Sequence, residues 1–299
     1  MTRTREISGD PAGLPLMVKA ALPAVPGVNQ LPGLRRTGDS LPRITLVRHD
    51  VEVDRAHVAA YAEVCGFGLR EQLPVTYPHV LAFGLHMQLM TDPSFPFPAI
   101  GTVHLENALT QHRPISPAEP LQLSVHADGL RAHPKGQVFD IVTVVHSRGE
   151  LVWEETSTFL RRGHGDPDAP AGTDLEQVPG SGTTWRLGGD LGRRYAAVSG
   201  DRNPIHLYGL TAKAFGFPRQ IAHGMWSKAR CLAALEGRLP DAVEVQVAFK
   251  KPILRPGTVA FGSRPVDSGG RAAGLRDYAF SLSSPRTGAP HLLGRTRAR

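Results

Sequence analysis

The sequence is poor in the residues that would tie it to several protein classes. Its 299 residues include only two cysteines, Cys65 and Cys231. That is too few for a disulfide framework in a chain of this length and points to a reducing, cytoplasmic setting. Both lie in apolar, helix-like surroundings and are expected to be buried, inert thiols. No apolar run reaches the roughly 20 residues of a membrane span. The apolar stretch from Leu14 to Val25 is broken by prolines and preceded by charges of both signs, so it is poor signal-peptide material. Zinc-finger and helix-turn-helix spacings are missing, as is a basic helix interleaved with aromatics, which leaves nucleic acid out as a partner. There is also no Gly-x-Ser-x-Gly nucleophile elbow.

What is present describes a globular chain, 41% hydrophobic and 20% charged, long enough for two small domains or one large one. The net charge of +7 is spread along the chain and reads as a solvated basic surface. It also suits phosphates of a coenzyme or an acidic carrier protein.

The most informative stretch runs from Tyr195 to Ala229. It begins YAAVSGDRNPIH, placing Asp201, Asn203 and His206 within six residues, with Gly200 before them and Pro204 among them. Gly and Pro at those places argue for an irregular, pinned loop. A carboxylate, an amide and an imidazole on one stiff loop can act together on a small target such as water. His223-Gly224-Met225 then opens an apolar run, Ile221 to Leu235, long enough for a helix. Gly at a helix start lets a ligand approach unpaired N–H groups that favour negative charge. The segment therefore offers an acid/base pair followed by an oxyanion site.

The run from Tyr195 to His206, with Ala222-His223-Gly224-Met225 behind it, resembles the MaoC-like family of (R)-specific enoyl-CoA hydratases and 3-hydroxyacyl-thioester dehydratases. That family's motif reads aromatic-Ala-x-x-Ser-Gly-Asp-x-Asn-Pro-aliphatic-His, and the chain matches it in full. The resemblance implies a reversible hydration of trans-2-enoyl thioesters to (R)-3-hydroxyacyl thioesters in fatty-acid metabolism. Asp201 and His206 would hold and activate the water. The Gly224 N–H would be the oxyanion donor, and Asn203 a second donor or the group that orients the loop. It implies no cofactor and no metal. The carrier, coenzyme A or acyl-carrier protein, is part of the substrate.

The chain also repeats itself. Tyr61 to Gly66 matches Tyr195 to Gly200, Ala82 to Leu85 matches Ala222 to Met225, and Arg113-Pro114-Ile115 matches Lys251-Pro252-Ile253. Three matches in order indicate a tandem duplication. Four regions follow: a Pro/Gly-rich extension at 1–41, with one apolar patch at Leu14 to Leu22, expected to cap an edge or pack on the surface; a first unit at 42–162; a linker at 163–184; and a second unit at 185–299. Asp54 is expected to cap a helix through Val64, and Val80 to Met90 to form an apolar helix. Strand-like pieces fill each half, the clearest being the alternating Val243 to Phe249. One long helix with an antiparallel sheet to cover it is an α+β unit. The resemblance names it a hot-dog fold, and two in one chain a double hot dog, similar to mycobacterial-type 3-hydroxyacyl-thioester dehydratases. Such a chain already contains its pseudo-dimer, so a monomer or a homodimer is expected.

The halves differ where chemistry is expected. Through the repeat, Asp201, Asn203 and His206 fall on Phe67, Leu69 and Gln72, and His223 on Phe83. One active site per chain follows, with the first half lining an apolar acyl channel. In related two-unit hydratases a degenerate first half leaves room for medium or long acyl chains. His223 is expected to cap the helix or pack. A metal set of Asp201, His206 and His223, and a Ser199-Asp201-His206 triad, are set aside. The other histidines, among them His104, His112, His126 and His146, lack ligand spacing. Two rival readings are a hot-dog thioesterase, for which Glu236 is the only helix carboxylate, and a non-catalytic acyl-thioester-binding or hot-dog partner subunit.

Overall fold

The computed structural model describes residues 2–9, 11, 40–266 and 277–299. The apolar patch from Leu14 to Leu22 and most of the 1–41 extension lie outside the described residues. The chain packs into two compact units. Unit 1 comprises Met1–Glu52, Pro78–Leu105 and Ala118–Gly172; unit 2 comprises Val53–Tyr77, Glu106–Pro117 and Thr173–Arg299. These units cut the chain differently from the sequence repeat.

Unit 1 holds the strands β1 (Arg3–Glu6), β2 (Ile44–Val51) and the start of β3 (Thr102–Gln111), with β4 (Leu121–His133), β5 (Gly136–Ser147) and β6 (Glu150–Arg162). Their order includes β1-β2-β4-β5-β6. β1 runs parallel to β2, with Arg3 opposite Ile44, while β2, β4, β5 and β6 pair antiparallel. The inward side chains include Leu123, Phe139, Ile141 and Trp153, all fully buried. Each contributes about 1.5–3 kcal/mol by leaving water. The helix of this unit, which begins three residues before the predicted Val80, spans Tyr77–Met90.

Unit 2 is built from α1 (Arg55–Cys65), the preceding helix thereby becoming α2 (Tyr77–Met90), then α3 (Leu191–Ser199), α4 (Pro204–Leu207), α5 (Gly209–Ala214) and α6 (Gly224–Leu235). Its strands are the rest of β3, β7 (Thr183–Leu187), β8 (Val243–Phe249), β9 (Gly257–Val266), β10 (Asp277–Ser283) and β11 (Pro290–Ala298), in the order β3-β8-β11-β10-β9-β7. β8 keeps the alternation read from the sequence, with Val243, Val245 and Val247 buried and Glu244 and Gln246 half-buried. α6 packs on β10, and its Trp226 indole N–H donates to the Val64 carbonyl at 3.0 Å. Asp54 caps α1 as expected, Oδ1 accepting from the Ala56 N–H at 2.8 Å.

Two of the three repeat matches occupy equivalent places. α1 and α3 each end one residue before a left-handed glycine, Gly66 at φ 82° and Gly200 at φ 75°. Each glycine N–H returns to the carbonyl four residues back. Ile115 and Ile253 each accept a backbone hydrogen bond from the segment leading into a long helix, Leu73 N–H at 2.8 Å and Ala222 N–H at 2.9 Å. The third match does not hold. Gly84 lies inside α2, whereas Gly224 is the first residue of α6. Sequence similarity there reflects small apolar composition, not position on the helix. Nor is the first half purely apolar, since α2 buries His79 and His86.

Candidate active site

The site begins where α3 stops. Gly200 takes the left-handed conformation that a side chain would strain, which turns the chain sharply. The Asp201 N–H then donates to Ser199 Oγ at 3.2 Å, and Asp201 Oδ1 accepts from the Asn203 N–H at 3.1 Å. The Asn203 side chain caps α4, accepting from the Ile205 N–H at 3.4 Å, with Pro204 at the first helical position. The expected pinned loop is therefore residues 200–203 only. His206 stands on the one-turn helix that follows, because Asn203 and Pro204 together start a helix rather than prolong a loop. Ser199 is occupied with the backbone at the end of α3.

His206 is 8% exposed. Its Nδ1 donates to the Ile221 carbonyl at 3.0 Å, since a carbonyl can only accept. In the neutral ring this leaves Nε2 as an acceptor, the form needed to take a proton. Burial lowers the His206 pKa below 6.5, the Asp201 carboxylate offsetting part of the shift. His223 lies against it, ring centroids 3.9 Å apart, and the Tyr195 ring lies 4.8 Å from His223. The His223 Nε2–H donates to the Asp201 carbonyl at 3.0 Å and stands 3.9 Å from Asp201 Oδ2. Burial, then the neighbouring His206, hold the His223 pKa well below 6.5. Asp201, with a side chain 26% exposed, is the wetter member. One donor atom from each of Asp201, His206 and His223 lies within 4.8 Å of the other two.

His223 thus does something other than cap. Its side chain makes no cap hydrogen bond to α6. It ties the residue before the helix to the Asp201 backbone. Gly224 follows as the first helical residue, and the opening N–H groups of a helix have no partner within it. A Cβ on Gly224 would meet the Phe249 ring at 3.1 Å, so glycine keeps this helix end open while it packs against β8.

Two supporting residues carry no signal in the sequence. Arg255 is fully buried, and its guanidinium donates to the carbonyls of His206 at 2.5 Å, Gly189 at 3.2 Å and Gly188 at 3.4 Å. Burial lowers its pKa to about 10, so it stays charged at neutral pH. Gly192 on α3 is needed for close approach: a Cβ there would stand 2.0 Å from the His206 carbonyl oxygen and 2.2 Å from Arg255 Nη2. Of the positions matched through the repeat, Phe67 stacks on Tyr61 at 6.3 Å, while Leu69 is exposed. Glu236 falls just past α6, its Oε2 accepting from the Gly68 N–H at 2.9 Å and its Oε1 facing Arg70 at 3.3 Å.

Residues 170–271 match the family model described as MaoC like domain. The chain is 38% identical to 3-hydroxyacyl-thioester dehydratase X of Mycobacterium tuberculosis over 96% of its own length and 98% of that protein. The chain belongs to the MaoC-like dehydratase family. The crystal structure of HtdX from the same organism superposes with a TM-score of 0.73 at 38% identity, covering 85% of this chain and 100% of that one. A second structure from M. tuberculosis, described as a double hot-dog fold, shares the architecture at 14% identity with a TM-score of 0.55, over 82% of this chain and 92% of that one. This MaoC-like chain accordingly has the α+β double hot-dog fold read from its sequence. Among the described residues, no helix is long and apolar enough to cross a membrane.

Proposed function

We propose that this MaoC-like chain hydrates trans-2-enoyl thioesters reversibly to (R)-3-hydroxyacyl thioesters, with Asp201 and His206 as the acid/base pair. The observation that carries the assignment is the tautomer of His206. Its Nδ1 is committed to the Ile221 carbonyl, which leaves Nε2 as an acceptor, and a ring nitrogen of His206 lies within 4.8 Å of an Asp201 carboxylate oxygen. A water held between them gives its oxygen to C3 and a proton to the pair, and the pair returns a proton to C2. The pair ends with as many protons as it began with, so either direction can run. The negative charge that builds on the thioester oxygen meets the Gly224 N–H at the start of α6. Asn203 serves by holding the turn of α4 that carries His206.

The chemistry draws on these groups alone and assigns no cofactor or metal to the reaction. The substrate is an acyl-CoA type thioester, or the same acyl group on an acyl-carrier protein. Cys65 and Cys231, free and buried, fit a cytoplasmic protein. The repeat units at 42–162 and 185–299 and a monomeric or homodimeric state belong to the same reading.

The test is the loss of enoyl absorbance when the purified protein meets trans-2-enoyl-CoA of short, medium and long chain. Asp201→Asn and His206→Ala are expected to lose at least about a hundredfold in kcat/KM. A folded protein that neither consumes these thioesters nor their carrier-protein counterparts would overturn the reading in favour of a binding subunit. Release of free thiol would point instead to a thioesterase, against which Glu236 pairs with the Gly68 N–H and Arg70.

A further inference from the structure

The reaction leaves a buried cluster of His79, His86 and Glu155 unused, and it lies wholly in unit 1. α2 buries His79 and His86, seven residues and so two turns apart on the same side of the helix. β6 supplies Glu155, also buried. His79 Nδ1 lies 2.7 Å from Glu155 Oε1, and Ser157 Oγ donates to the same oxygen at 2.7 Å. His86 Nε2 lies 2.6 Å from Thr143 Oγ1 on β5. The two imidazoles meet edge to face, centroids 5.2 Å apart. One ligand-type atom from each of His79, His86 and Glu155 falls within 4.8 Å of the other two.

We propose that His79, His86 and Glu155 form a binding site for a divalent transition-metal ion, with Zn²⁺ the best fit. Two imidazoles and one carboxylate are a donor set that suits zinc and its neighbours, not the all-oxygen preference of magnesium or calcium. α2 and β6 are regular elements, so the donors are held on rigid backbone. The hydroxyls supply the support that ligands of a metal commonly have. Thr143 bonds Nε2 of His86, and Ser157 donates to the Glu155 carboxylate. Donors bonded at about 2.0–2.1 Å in a tetrahedron stand roughly 3.4 Å apart. The His79–Glu155 contact must therefore open slightly while the widest spacing closes, the ion replacing the hydrogen bond between them. A water fills the fourth position. The ion places a positive charge beside the buried Glu155 carboxylate of β6. The site does not depend on the reading of Asp201 and His206.

The experiment uses the full-length protein, stripped of metal with a chelator and titrated with Co²⁺ while its visible absorption is followed. Zn²⁺ is then added in competition. The expected result is one Co²⁺ per chain with a tetrahedral band that Zn²⁺ abolishes. Binding should weaken at least about tenfold in Glu155→Gln and in His79→Gln, and survive in His206→Gln, which disables the other cluster of donors. Because a variant can fail to fold, wild-type crystals soaked in Zn²⁺ supply an independent readout, with anomalous signal expected between α2 and β6. Absence of saturable binding, binding that persists in a folded Glu155→Gln, or signal confined to Asp201, His206 and His223 would each overturn the proposal.

Discussion

At the scale of single residues, the two histidines of the candidate site each commit one ring nitrogen to a backbone carbonyl. His206 gives its Nδ1–H to Ile221, and His223 gives its Nε2–H to Asp201. Both imidazoles are buried and titrate below 6.5. Between the lowered value and 6.5 the unfolded chain binds more protons than the folded one. Stability from these groups is therefore complete above 6.5 and is lost as pH falls through that window, by about 1.4 kcal/mol per pH unit for each histidine. The acid limb of kcat/KM should have its midpoint below 6.5, because His206 must be neutral to accept a proton. A midpoint above 6.5 would mean that another group is the base. His223→Gln keeps a donor toward the Asp201 carbonyl and should retain more activity than His223→Leu, a comparison that initial rates settle directly. The His223 ring, not its charge, is what packs on His206.

At the scale of elements, His206 is held by an arrangement that brings α3, α4 and the segment before β9 together. Gly192 lets the backbones touch, and Arg255 ties three carbonyls. Gly192→Ala forces a methyl to 2.0 Å from the His206 carbonyl, so α4 must move. The expected outcome is a fall in kcat with a lower unfolding temperature, read by calorimetry and rates together. Arg255→Met leaves three carbonyls short of a donor, that of His206 buried, and removes a buried charge's contacts, so it should cost about 2–5 kcal/mol in denaturant unfolding. An effect under 1 kcal/mol would show that water replaces the guanidinium. Helix caps were legible at this scale. Asp54 caps α1 as its residue type predicts, because caps are settled by local backbone chemistry, whereas the Asn203–Pro204 pair starts α4 where a continuing loop is expected. The repeat match at Gly84 misled, because a four-residue apolar similarity carries no helix register.

At the scale of the whole molecule, unit 2 is assembled from three separate pieces of chain, Val53–Tyr77, Glu106–Pro117 and Thr173–Arg299. β8 pairs with β3, Ala248 opposite Glu106 and Val243 opposite Gln111, and Tyr61 of α1 faces Tyr195 of α3 at 6.3 Å. A fragment of residues 185–299 lacks both partners. It should show no cooperative unfolding transition by circular dichroism, although it carries Asp201, His206 and Gly224. A fragment that folds and hydrates enoyl thioesters would establish the sequence repeat as the independent unit.

The linear sequence determined the family, the strand and helix types, and the grouping of Asp201, Asn203 and His206, because motif spacing and side-chain periodicity are local properties of the chain. Val243 to Phe249 needed no neighbour to reveal its buried face. Only the tertiary structure decided which nitrogen of His206 is free, that His223 clamps the Asp201 backbone, and that Arg255 and Gly192 stand behind the site. It also joined His79 and His86 to Glu155, 69 residues beyond His86 in the chain. These depend on contacts between segments far apart in sequence, and a buried hydrogen bond leaves no periodicity for the chain to display.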